Sequence, residues 1–117
     1  MLADDLREYL MAKSHTSEET PFGPDVLVYK VAGKMFATLS FDKEVGSSNL
    51  KCDPDRALEL REQHEAIQPG YHMNKRHWNT LVLDGSLASH LVVDLVDHSY
   101  DLVVQSLTKK RRAELNL

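Results

Sequence analysis

A single cysteine, Cys52, occurs in 117 residues, so no internal disulfide can form and a reducing compartment is expected. Five glycines and four prolines are too few for a collagen-like or Gly/Pro-rich disordered chain. No stretch of about 18 apolar residues is present, which excludes a transmembrane helix. The opening residues, Met1-Leu2-Ala3-Asp4-Asp5, are acidic where a secretory leader is basic. A cytoplasmic protein without a membrane partner is therefore expected. Common catalytic signatures are missing too: there is no Gly-rich phosphate loop, G-x-S-x-G elbow, C-x-x-C pair or H-E-x-x-H. That lack points to a non-catalytic protein with no cofactor. Cys52, beside Asp53, has no nucleophile-like context and reads as a partly buried thiol. Positive charge is scarce as well. Fourteen Lys and Arg stand against eighteen Asp and Glu, a net charge of -4 and a pI near 5.8, which argues against a strongly basic nucleic-acid binder.

What is present suits one globular domain spanning residues 1–117, with 42% hydrophobic and 27% charged residues, no repeat and no linker. Leu2, Leu6, Tyr9 and Leu10 fall on one face of a short helix over 2–13. Ser14-His15-Thr16 and the Pro21/Pro24 pair then predict a loop. Two β-prone runs, 26–31 and 34–40, flank Ala32-Gly33 and predict a hairpin. A third short strand is expected at 47–52. Asp53-Pro54 predicts a helix start, with Asp53 capping and Pro54 in the first turn. That helix is expected to run to about residue 66 with Ala57, Leu58 and Leu60 inward. Residues 78–83 predict a fourth strand. The last helix, capped by Ser86 or Ser89, has about five turns, with Val92, Val93, Val96, Tyr100, Val103, Val104 and Leu107 apolar. The order α-β-β-β-α-β-α predicts an α+β two-layer sandwich: an antiparallel sheet with helices on one face.

Charge is divided unevenly among these elements. Residues 1–25, 53–65 and 84–105, which hold the helices, carry -4, -3 and -4. Residues 26–41, 66–83 and 106–117 carry +2, +2 and +3. If helices cover one side of the sheet, the other side is the approach for an anionic partner. The same few bases also fit ordinary solvated charges.

The densest polar cluster is His72-Met73-Asn74-Lys75-Arg76-His77-Trp78. Lys75 and Arg76 have the chemistry to neutralise phosphates, and Tyr71 and Trp78 have faces on which a base can stack. Equally, Trp78 as the only tryptophan fits a core position at the start of a strand, with the polar residues decorating a loop. His90, Asp94 and His98 share a helix flank with Asp97 and Asp101 nearby, a donor set that suits zinc or iron, although a solvated face explains the spacing as well. Lys109-Lys110-Arg111-Arg112 has the charge to touch nucleic acid or a membrane surface, and the tail bases join the phosphate contacts of a nucleic-acid reading, but four charges at a terminus also read as a soluble, frayed end.

Several segments taken together resemble the MmcQ/YjbR family. They are Phe22-Gly23-Pro24-Asp25-Val26-Leu27-Val28-Tyr29-Lys30-Val31, Gly33-Lys34-Met35-Phe36-Ala37, and His72-Met73-Asn74-Lys75-Arg76-His77-Trp78-Asn79-Thr80. Leu83-Asp84-Gly85-Ser86 and Asp97-His98-Ser99-Tyr100-Asp101-Leu102-Val103 extend the likeness over nearly the whole chain in order. The resemblance implies a bacterial cytoplasmic α+β protein with a CyaY-like, or secretion-chaperone-like, fold. It also implies DNA binding through a double-wing arrangement of strands and loops, and it transfers no catalytic residue. On that basis Lys30, Lys34, His72, Asn74, Lys75, Arg76, His77 and Trp78 are the candidate nucleic-acid-binding residues of a regulatory protein, with weak, backbone-type contacts. The alternative is a protein-interaction or chaperone-like adaptor, which would need an apolar patch on the open sheet face or its edge. Metal binding through the His/Asp helix flank is a third class.

Overall fold

Helix α1 (Ala3–Ala12) begins where the Asp5 carboxylate accepts a hydrogen bond from the Leu2 N–H at 3.3 Å, and it buries Leu6 and Leu10. The computed structural model describes residues 1–41 and 44–117. After α1 comes a short strand, β1 (Thr16–Glu19), in the segment expected to be a loop. The hairpin forms as predicted, from β2 (Val26–Val31) and β3 (Lys34–Ser40). Ala32 and Gly33, at φ of 52° and 78°, make the two-residue turn whose twist suits paired strands. Strand β4 (Ser47–Lys51) follows, and then α2 (Pro54–Gln63), β5 (Ile67–Pro69), β6 (Trp78–Val82), α3 (Ser89–Ser106) and α4 (Lys109–Leu115).

All six strands join one antiparallel sheet in the order β1-β2-β3-β4-β6-β5. The register decides which side chains share a face, because alternate residues point to opposite sides. Leu27, Tyr29, Val31, Ala37, Leu39, Leu50, Ile67 and Leu81 form one buried cluster with Leu6 and Leu10 of α1, Ala57 and Leu60 of α2, and Val92, Leu95, Val96 and Tyr100 of α3. The three main helices therefore cover one face, as the order of elements predicted. A bulge where Tyr29 opposes Ala37 and Lys30 opposes Met35 leaves Phe36 as the extra residue. Phe36 is fully buried and meets the Tyr100 ring edge-on, with centroids 5.3 Å apart.

Several local expectations need correction. Asp53 caps α2 by accepting from the Arg56 N–H at 3.2 Å, with Pro54 in the first turn as predicted, but α2 stops at Gln63. Residues after it instead pair β5 with β6, a short strand with no periodic signal. Leu58 is not inward; it is 57% exposed, while Ala57 and Leu60 are buried. Neither Ser86 nor Ser89 caps α3, which starts at Ala88 without a side-chain cap. The basic tail is not frayed: Thr108 accepts from the Arg111 N–H at 3.1 Å and starts α4, none of whose residues is buried. No helix among the described residues is long and apolar enough to cross a membrane.

Candidate functional site

The loop between β5 and β6 is braced from both sides of the sheet. On the open face, Tyr71 donates its backbone N–H to Thr80 Oγ1 at 2.9 Å, Thr80 donates to Asn49 Oδ1 at 2.5 Å, and Asn49 Nδ2 donates to the Tyr71 carbonyl at 3.3 Å. This closed ring fixes the start of the loop to β4 and β6. On the helix side, Arg61 of α2 donates through Nε to Asn79 Oδ1 at 2.6 Å, and through its terminal nitrogen to the carbonyls of Lys75 and Trp78. The Lys75 ammonium folds back onto the Gly70 carbonyl at 3.0 Å. Asn74 accepts from the Arg76 N–H at 2.9 Å, a local turn that holds the tip. The Cys52 N–H donates to the His77 carbonyl at 2.8 Å and ties the far end to the end of β4.

Close packing and strain accompany this bracing. A Cβ on Gly70 would stand 2.8 Å from the Trp78 Cβ, a distance real side chains do not tolerate, so only glycine fits there. His72 sits at φ 59°, in the left-handed region that costs a non-glycine residue about 1–2 kcal/mol. Such strain persists only where the surroundings impose it, and it concentrates at functional sites.

The sheet topology places the candidate bases at one end. Strand β2 turns into β3 there, β4 ends there at Lys51, and β6 begins there at Trp78, opposite Lys51. The hairpin turn and the β5–β6 loop are thus on the same end, three strand spacings apart, about 14 Å. Lys34 reaches Ser106 Oγ at 3.4 Å, which brings the end of α3, and α4 after it, to this end as well. Among the described residues, Lys34, Lys51, Lys75 and Arg76 are in no ion pair, whereas Lys30 pairs with Glu19 on the open face at 3.4 Å. The structure therefore groups His72, Asn74, Lys75, Arg76, His77 and Trp78 in one loop. Lys34 joins them only at the level of the sheet end, and Lys30 is partly neutralised. Trp78 is half-buried and lies on the open face, next to Thr80 in the alternation.

The opposite end has the reverse chemistry. A cavity of about 380 Å³ is lined there by Leu2, Phe41, Val45 and Leu83, with the carboxylates Asp4, Glu44 and Asp84. The cavity end is thus acidic where the loop end carries bases, while the exposed Asp55 and Asp101 of α2 and α3 are in no ion pair among the described residues. Near the basic end, Asp53 is occupied as a helix cap, Asp94 pairs with Arg56 at 2.5 Å, and Asp97 accepts from Lys13 at 2.9 Å and Tyr9 at 2.6 Å. The open sheet face mixes Ser17, Thr38, Ser40, Ser47, Asn49, Gln68 and Thr80 with Val26, Val28, Met35 and Trp78, so among the described residues it is neither uniformly polar nor uniformly apolar. Its edges are β1, which is Thr-Ser-Glu-Glu, and β5, three residues ending in Pro69, both poor templates for strand addition.

The helix flank His90, Asp94 and His98 is engaged elsewhere. Besides the Asp94 pair, His98 Nε2 accepts from the Asp53 N–H at 3.1 Å. Among the described residues, no three His, Cys, Asp or Glu side chains are placed to hold a metal ion. Burial pushes the Cys52 thiol up to about 11, so it stays protonated at neutral pH.

A family model for YjbR matches residues 11–102, which include the hairpin and the whole braced loop. The chain belongs to the YjbR family. The YjbR protein of Escherichia coli strain K12 is 34% identical over 96% of this chain and 95% of its own length. YbdF of Escherichia coli O157:H7 is 40% identical over 77% of this chain and 74% of its own. Among solved structures, a Deinococcus radiodurans protein, DR2400, is 39% identical and superposes with a TM-score of 0.93 over 99% of this chain and 88% of its own. A Pseudomonas syringae protein, 30% identical, reaches 0.77 over 87% of this chain and 98% of its own. The family model takes in Lys75 and Arg76 and ends before α4, whereas the alignments with Escherichia coli YjbR and with DR2400 take in the basic tail as well.

Lys51, Arg61, Asn49 and Thr80 were not singled out as binding candidates from the sequence, and Tyr71 was so only as a face on which a base can stack. Arg61 had a signal: it lies four residues after Ala57 on the inward row of α2, where a charged residue implies an internal partner. Tyr71 had its aromatic character but not its placement. Asn49 and Thr80 carried none, since their role depends on the pairing of β4 with β6.

Proposed function

We propose that this YjbR-family chain is a non-catalytic, cytoplasmic DNA-binding protein with a regulatory role. It meets phosphates at the end of the sheet formed by the β2–β3 turn, Lys51 and the β5–β6 loop. The observation that carries the reading is the grouping of Lys34, Lys51, Lys75 and Arg76 at that end, none in an ion pair among the described residues, with Asp4, Glu44 and Asp84 around the cavity at the other end. A molecule polarised in this way presents one end to a polyanion in spite of its net charge of -4. Four phosphate contacts make binding weak, with log K falling by about 3.6 per tenfold rise in salt.

Fluorescence anisotropy with a labelled DNA duplex, titrated over a range of salt, tests the reading. Lys75→Ala with Arg76→Ala is expected to weaken binding and to reduce the salt slope by about 2. Absence of binding at low salt, or a double variant indistinguishable from the parent, would contradict it. The adaptor alternative keeps Val26, Met35 and Trp78 on the open face in its favour, but the edge strands β1 and β5 are poor templates for strand addition.

A further inference from the structure

Phosphate contacts alone do not account for Tyr71. It is 62% exposed, yet its backbone is held at both N–H and carbonyl by Thr80 and Asn49. Its ring lies 3.9 Å from that of His72, tilted by 49°. His72 in turn is held at φ 59°, so the left-handed backbone is what brings its imidazole beside the Tyr71 ring. Next to this pair on the open face stand Trp78 and Lys51, with the exposed Arg76 at the loop tip. Aromatic rings held rigidly beside cations are what a sequence-tolerant grip on unpaired bases requires, because every base has a face to stack. In a duplex those faces are already covered by neighbouring base pairs, so a platform of this kind gains nothing from double-stranded DNA.

We infer that the Tyr71–His72 pair is a base-stacking platform and that the loop takes single-stranded nucleic acid in preference to duplex. The inference rests on the nucleic-acid reading above and names the form of ligand within it. Bases would stack at Tyr71, and phosphates on either side would meet Lys51, Lys75 and Arg76. The open face offers Asn49 and Thr80 only as the brace, since their side chains are already engaged with each other and with the loop.

The test compares labelled oligothymidine, oligouridine and a duplex of equal length, about 15 nucleotides, near the upper site size of one binding module. Anisotropy is measured with the parent chain, Tyr71→Ala, Tyr71→Phe, and Lys75→Ala with Arg76→Ala. Either single strand is expected to bind at least about fivefold tighter than duplex, the lower bound for one stacked base. Tyr71→Ala removes that preference, weakening single-strand binding at least about fivefold more than duplex binding, while Tyr71→Phe keeps it. A thermal melt of Tyr71→Ala confirms that the exposed position is not needed for folding. Equal, salt-dependent binding of single strand and duplex, unmoved by Tyr71→Ala, overturns the platform and leaves the phosphate reading standing. No binding to any of the three probes overturns both.

Discussion

Gly70 and Arg61 set the shape of the loop, from opposite directions. Gly70 has to be small, because a Cβ would collide with Trp78 and with Met73. Gly70→Ala is expected to destabilise the protein by about 1–3 kcal/mol, the usual cost of overpacking, read from the midpoint of a denaturant melt. An unshifted midpoint would mean that the loop yields easily. Arg61 acts by supplying donors to three acceptors on the loop and on β6. Arg61→Met keeps the apolar stem and leaves those acceptors unsatisfied, with an expected loss of about 2 kcal/mol. Faster amide hydrogen exchange confined to residues 74–78 would distinguish this loosening from general destabilisation.

Between elements, the junction of α2 with α3 depends on a neutral histidine. His98 Nε2 accepts from Asp53 N–H at the start of α2, so protonation would set two donors against each other. Burial, followed by the charge of Arg56, holds the His98 imidazole below the ordinary histidine value, while Asp53, Asp94 and Asp101 pull the other way. With the folded value depressed, the stabilisation is complete above the unfolded value of 6.5 and is lost as pH falls below it, through the mildly acidic range. The melting temperature should drop over that window, and His98→Gln should flatten the drop. Parallel curves for the two proteins would contradict the assignment. The same junction explains what was legible in the sequence. Helices α1 and α3 carry an apolar period matching their buried face and the hairpin is an apolar, β-prone run, whereas β4 and β6 each bury one leucine, Leu50 and Leu81, beside the polar Ser48 and Asn79. Strand β1 carries no apolar signal, since Thr-Ser-Glu-Glu is an edge held by pairing with β2 and by Glu18 accepting from Arg7 and Tyr29. Strand β5 is too short to show a period, and α4 packs no buried residue that would produce one. The cluster 72–78 was legible as composition, but its bracing by Asn49, Arg61 and Thr80 depends on contacts distant in sequence.

On the scale of the molecule, the segment charges anticipated the acidic helices but not the acidic cavity end. Of the helix acids, Asp94, Asp97 and Glu114 are taken up locally by Arg56, Lys13 and Arg111, and the rest stay on the helix surfaces. The sheet has a basic end, with the hairpin turn and the braced loop, and an acidic end around the Leu2, Phe41, Val45 and Leu83 cavity. The central claim is that nucleic acid meets the basic end. Amide chemical-shift mapping of the isotope-labelled chain, titrated with a DNA oligonucleotide at low salt, tests it most directly. The account predicts perturbations at residues 70–78, at Lys51 and at the Ala32-Gly33 turn, with residues 44–46 and 83–85 unmoved. Perturbations centred on the acidic end, or none at saturating DNA, would contradict it.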